Sequence, residues 1–170
     1  ANKIFSLLSS ARILYHKGLY EHAFRVIKRA KKIAEQNELF AHGLVINELE
    51  VELLSKQFKY AEASQTLNES ESLVDQLQNF RKIQKITTDC YQARLEIGNS
   101  RSDEDSKRLE GFLNVDGVID STYPLTKRAE MYQHGLNLTY TYFVGDHDKS
   151  MKYTVSMTDL YEDNPHLIEY

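Results

Sequence analysis

Apolar residues recur along this chain at spacings of three and four, with charged and amide residues between them, which is the pattern of amphipathic helices. Ile4, Leu7, Leu8, Ala11, Leu14 and Tyr15 mark a first helix that Gly18 ends, and Ala23, Val26, Ile27, Ala30, Ile33 and Ala34 mark a second. A third, from about Glu38 to Gln57, carries Leu39, Ile46, Leu49 and Leu53, with Leu44, Val45, Val51 and Leu54 widening its stripe. The fourth uses Ala63, Leu67, Leu73, Val74 and Leu77; the fifth uses Phe80, Ile83, Ile86, Cys90, Ala93 and Ile97. No segment alternates strictly with β-branched residues, so the pattern predicts an all-α chain.

Turn residues sharpen the second half. Gly98, Asn99 and Ser100 interrupt the pattern, and Ser102 with Asp105 three residues later resembles a capping box. Asp103, Glu104 and Asp105 suit the positive end of the next helix dipole. That sixth helix is expected to bury Leu109, Phe112, Leu113, Val115 and Ile119, although Gly111 and Gly117 weaken it. Pro124 suits the first turn of a seventh, with the stripe Leu125, Ala129, Tyr132, Leu136, Tyr140 and Phe143. Gly145 ends it, and Met151, Thr154, Val155, Thr158 and Tyr161 define an eighth. After Asn164 and Pro165, Leu167, Ile168 and Tyr170 read as the start of a further helix, so the chain is expected to be a single domain over 1–170 cut from a longer protein. The face left uncovered there would support weak self-association.

Composition narrows the function classes. With 170 residues, 41% hydrophobic and 27% charged, the chain is long enough for a sizeable core and is not a disordered one. No apolar run approaches the ~18–20 residues that span a bilayer. Cys90 is the only cysteine, which excludes an internal disulfide and a Cys-rich zinc site and fits a cytoplasmic setting. The net charge of −4 gives no global pull towards nucleic acid or anionic membrane.

Catalytic constellations are not evident. His16, His22, His42, His134, His147 and His166 lack the spacing that puts two imidazoles on one helix face, and Cys90 sits on an apolar stripe where burial raises a thiol pKa. Gly145-Asp146 reads as a turn rather than a phosphate cradle, and the acidic run 103–105 as a solvated helix start. The chain is therefore expected to be no enzyme and to hold neither cofactor nor metal. Arg25, Lys28, Arg29, Lys31 and Lys32 form the densest charge feature. A basic helix grips nucleic acid or an acidic partner; without aromatic stacking residues, and with Glu48, Glu50 and Glu52 on the next helix, a solvated face is the favoured reading.

A period decides the architecture. Leu14, Tyr20, Ala23, Ile27 and Ile33 recur forty residues later as Leu54, Tyr60, Ala63, Leu67 and Leu73, and Tyr140, Tyr142, Gly145, Asp146, Ser150, Tyr153 and Met157 form a further related stretch. Gly at the exit of one helix and small residues early in the next (Gly18, Ala23, Ala30) resemble the tetratricopeptide (TPR) repeat, without its early Trp and with a period longer than its usual ~34. The resemblance implies a right-handed α-solenoid of about four antiparallel helical hairpins, whose first helices line a concave surface. It further implies partner-facing positions at Arg12, His16, Glu48, Glu52, Asp89, Gln92, Tyr132, Thr139 and Tyr142. The carboxylate clamp of the family is missing, since Leu8, Ser9, Glu48 and Leu49 stand at its positions, and Glu48 with Glu52 favour a basic partner. The expected function is a non-enzymatic scaffold that binds a protein or peptide segment. The alternative is a peptide-sensing signalling domain that controls an attached output module in a bacterial regulator.

Overall fold

A computed structural model describes residues 2–98, 102–115 and 126–168. Regular structure among them is helical throughout: α1 (Asn2–His16), α2 (Tyr20–Gln36), α3 (Phe40–Lys56), α4 (Tyr60–Ile97), α5 (Asp103–Leu113), α6 (Lys127–Val144) and α7 (His147–Asp163), followed by a 3₁₀ turn over Pro165–Leu167. The chain divides into two compact units, Ala1–Leu77 and Gln78–Tyr170, and α4 contributes to both.

One turn geometry repeats through the first unit. The amides of Leu19, Leu39 and Lys59 each donate to a carbonyl five residues back, on Leu14, Ala34 and Leu54, at 2.9 Å. The residue before each donor is left-handed: Gly18 at φ 72°, Glu38 at 49° and Phe58 at 59°. Glycine takes that conformation freely, whereas Glu38 and Phe58 do so at ~1–2 kcal/mol each, offset by the helices they join. Five residues beyond each left-handed residue stands a small buried one, Ala23, Gly43 or Ala63. A Cβ on Gly43 would lie 3.0 Å from Leu73 Cδ1, so glycine there sets how closely α4 approaches α3. The helix-and-turn unit thus recurs every twenty residues, half the period of the side-chain pattern. Gly145 at φ 79°, the bond from the Asp146 amide to the Thr141 carbonyl and the buried Ser150 reproduce the same turn in the second unit.

The core of the first unit joins Ile4, Leu8 and Ala11 of α1, Ala23, Ile27 and Ala30 of α2, and Ile46, Leu49 and Leu53 of α3. Beside it, Lys31 Nζ reaches Glu50 at 2.8 Å and Glu69 at 2.5 Å. Burial works against the charged amine, but the two carboxylates outweigh it and raise its pKa. In the second unit, Ile86, Cys90 and Ala93 of α4 pack with Leu109 of α5 and Leu136 and Phe143 of α6. Ser102 caps α5 as the sequence predicts, accepting from the Asp105 amide at 3.1 Å and donating to Asp105 Oδ2 at 2.6 Å.

Several expectations are corrected. The fourth and fifth helices are one, α4, because residues 60–97 contain no Gly or Pro and Leu77-Gln78-Asn79-Phe80 offers nothing to stop a helix. Leu67 and Val74, expected on the buried stripe, are exposed. The eighth helix, α7, is turned relative to its expected stripe: Met151 is 65% and Val155 50% exposed, while Ser150 and Leu160 are buried. The turn geometry decides this, since Ser150 lies at the close-approach position and its Oγ donates to Thr141 Oγ1 at 3.1 Å. The sixth helix, α5, ends at Leu113; Gly117, Ile119, Pro124 and Leu125 lie outside the described residues, as do Asn99, Ser100 and Tyr170. Asn164 does not cap the final turn through its side chain, which donates back to the Leu160 carbonyl at 2.9 Å instead.

Ala23→Leu and Ala30→Leu are expected to destabilise the protein by ~1–3 kcal/mol each through overpacking, with Lys28→Ala nearly neutral. Urea denaturation of the three variants checks this, and equal midpoints would contradict the close-approach geometry.

Candidate functional site

Within the second unit, the end of α4, the latter half of α6 and the middle of α7 line an open groove of about 680 Å³. Arg94, Leu95 and Gly98 line it from α4, Leu138, Thr139 and Tyr142 from α6, and Thr154 from α7. Helical spacing brings 138, 139 and 142 to neighbouring positions on α6, with the buried Phe143 beside them. The Arg94 guanidinium lies 5.1 Å from the Phe143 ring centroid and donates to the Gly98 carbonyl, closing the end of α4. Both contacts hold it in one orientation at the groove edge.

The walls offer apolar area with a few polar handles. Leu95 is 77% and Tyr142 60% exposed, so two of the large side chains of the groove are largely uncovered. The Thr139 and Thr154 hydroxyls donate to the carbonyls of Gly135 and Ser150, both at 2.9 Å, which leaves their oxygens able to accept. Tyr91 lies behind Thr139. Its hydroxyl is 2.6 Å from where a Gly135 Cβ would be, so the missing side chain at 135 admits the phenol against α6. Burial raises the Tyr91 pKa, partly offset by the Thr139 hydroxyl beside it.

The structure places the sequence-predicted positions in three different situations. Thr139 and Tyr142 share the groove. Arg12 and His16 are exposed one turn apart on α1, and Glu48 and Glu52 likewise on α3. Asp89 is held by Lys85 at 2.6 Å, and Gln92 donates to Glu96 at 3.2 Å; neither lines the groove. Tyr132 is half-buried and tied into the second unit: its hydroxyl accepts from Gln84 at 3.0 Å, its carbonyl accepts from Thr87 at 3.1 Å, and its ring meets Phe80 at 5.7 Å. Sequence reasoning missed Arg94, Leu95, Leu138 and Thr154. One signal was available for Leu95, an apolar residue off the stripe of Ile86, Cys90, Ala93 and Ile97.

The charge distribution of the first unit also becomes definite. Glu50 meets Lys31, whereas Glu48 and Glu52 make no ion pair among the described residues. Arg25, Lys28, Arg29 and Lys32 are all exposed on α2. Like charges at three and four residues cost a helix ~0.2–0.5 kcal/mol per pair.

Among the described residues no group of three or more His, Cys, Asp and Glu side chains is arranged to hold a metal ion, and no helix is long and apolar enough to cross a membrane. Comparison of the chain with protein-family models, with curated proteins and with solved structures finds no match.

Burial pushes the Cys90 thiol up to about 11, from 9.0. A thiol reagent at pH 8 is therefore expected to leave the native protein unlabelled and to react with one thiol per chain in urea. The raised pKa also favours folding below pH 9 and ceases to do so as the pH climbs through 11. Rapid native labelling at pH 8 would contradict the burial.

Proposed function

We propose that the chain is a non-enzymatic binding module of the cytoplasm, a TPR-like right-handed α-solenoid of antiparallel hairpins that takes a protein or peptide segment along its first helices. The repeated turn with its small close-approach residue supports the architecture: it sets successive helices side by side at one spacing. In this reading the latter half of α4 and α6 are the first helices of successive pairs.

One observation carries the function, the open groove between α4 and α6 with Leu95 and Tyr142 uncovered in its walls. Exposed aromatic and aliphatic side chains beside hydroxyls and a fixed guanidinium suit an extended segment that inserts an apolar side chain and meets the polar groups with its backbone. In the first unit, the paired Glu48 and Glu52 favour basic residues on a bound segment.

A quantitative pull-down or calorimetric titration with an identified partner tests the reading. Leu95→Ala with Tyr142→Ala is expected to weaken binding at least tenfold, about 1.4 kcal/mol. The urea midpoint should stay near the parent's, because both side chains are exposed. Glu48→Gln with Glu52→Gln is expected to lower affinity for a basic partner and flatten its salt dependence. Unchanged affinity in the first pair removes the groove assignment; unchanged affinity and salt response in the second removes the basic-partner assignment.

A further inference from the structure

Among the described residues, four cations on α2 stand without a counter-ion. On a helix of 3.6 residues per turn, Arg25, Lys28, Arg29 and Lys32 fall within a sector of about 100°. That sector lies opposite the buried Ala23, Ile27, Ala30 and Ala34. All four are exposed, and among the described residues no carboxylate pairs with any of them. The two carboxylates that do reach α2, Glu50 and Glu69, both close on Lys31. Glu21 lies on the same face four residues before Arg25, and Glu35 at its edge three residues after Lys32; neither makes an ion pair with the stripe among the described residues. At spacings of three, four and seven the cations repel one another along the helix, and nothing between Arg25 and Lys32 relieves that repulsion. The two glutamates flank the stripe, and the two turns from Arg25 to Lys32 carry positive charge alone on that face.

We infer that this outward stripe of α2 is a second docking surface, for an acidic helical segment of a partner protein. The dimensions favour such an occupant. Arg25 to Lys32 spans about 10 Å of helix rise, two turns, and carboxylates at the same three-, four- and seven-residue spacing on a facing helix meet the cations in register. Duplex nucleic acid fits less well. Its charge continues far past a stripe of this length, and the rest of a chain with 25 acidic against 21 basic residues repels it. Lys28 adds shape to the charge, since its ammonium lies 5.2 Å from the Phe24 ring and fixes one edge of the stripe.

Fluorescence anisotropy with the full chain tests this. The probe is a labelled alanine-based helical peptide carrying four glutamates at that spacing, with a random-sequence 20-base-pair duplex measured in parallel in 50 mM salt. The peptide is expected to bind more tightly than the duplex. Arg25→Gln, Arg29→Gln and Lys32→Gln together should weaken it at least tenfold, whereas the same charge change at the exposed Lys3, Lys17 and Lys56 should alter it less than twofold. The urea midpoint of the α2 variant should equal or exceed the parent's, since repulsion is relieved, an outcome that a structural role for these cations would reverse. Absence of peptide binding, equal loss in both triple variants, tighter binding of the duplex or a lowered midpoint would each overturn the inference. Leu95→Ala with Tyr142→Ala should bind the peptide as the parent does, so failure of this surface is distinguishable from failure of the groove.

Discussion

Close approach of two helix backbones at a small residue, five positions beyond a left-handed turn residue, is the contact on which both units rest. Ala23, Gly43, Ala63 and Ser150 all occupy that position, and all are buried. The left-handed residue ends one helix, the next two residues redirect the chain, and the small residue lets the second helix lie against the first. Any larger side chain there separates the pair and opens the core it closes. Glu38 and Phe58 hold left-handed conformations that their side chains disfavour, which shows how strongly the surrounding packing specifies the turn.

From that constraint the distribution of surfaces follows. Because Ser150 must face Thr141, α7 turns its Ser150 and Leu160 side inward and leaves Met151 and Val155 outside. Glycine plays a comparable part at 135, where the Tyr91 hydroxyl occupies the space of a side chain and meets Thr139, a residue of the groove wall. The groove is therefore a product of backbone spacing, with Leu95 and Tyr142 left over as uncovered apolar area once the core positions are filled. The opposite logic governs α2 in the first unit. Its inward face is small and apolar, its Lys31 is neutralised by Glu50 and Glu69, and its remaining charge is concentrated outward.

Much of the fold is legible in the residues, and the failures have identifiable causes. Three-and-four spacing reports every helix, Gly18 and Gly145 report two of the turns, and Ser102 with Asp105 reports a cap that the structure contains. The twenty-residue period is hidden because Glu38 and Phe58 stand where glycine would announce a turn, and because Tyr20 and Ala23 are matched at Tyr60 and Ala63 while Phe40 and Gly43 stand between them. Two apolar stripes, one ending at Leu77 and one starting at Phe80, read as two helices, while the residues between them contain no breaker and form one helix. In α7, Met151 and Val155 imitate a buried stripe, and only the partner helix reveals that Ser150 is the inward residue. Thr139 and Tyr142, singled out by the repeat resemblance, both line the groove. Arg94, Leu95 and Thr154 are not singled out, because what unites them with α6 is tertiary packing with no counterpart in local spacing.

Site-specific photocrosslinking tests the binding-module account most directly. A photoreactive amino acid replaces Tyr142 in the full chain, expressed in its own cells, and in a parallel protein replaces Tyr60, which is also exposed but lies in the other unit. The account predicts a discrete adduct at 142, mapping by mass spectrometry to one short stretch of one partner, absent at 60 and abolished by Leu95→Ala. Adducts of equal yield at both positions, or an adduct at 142 that persists unchanged with Leu95→Ala, would contradict it.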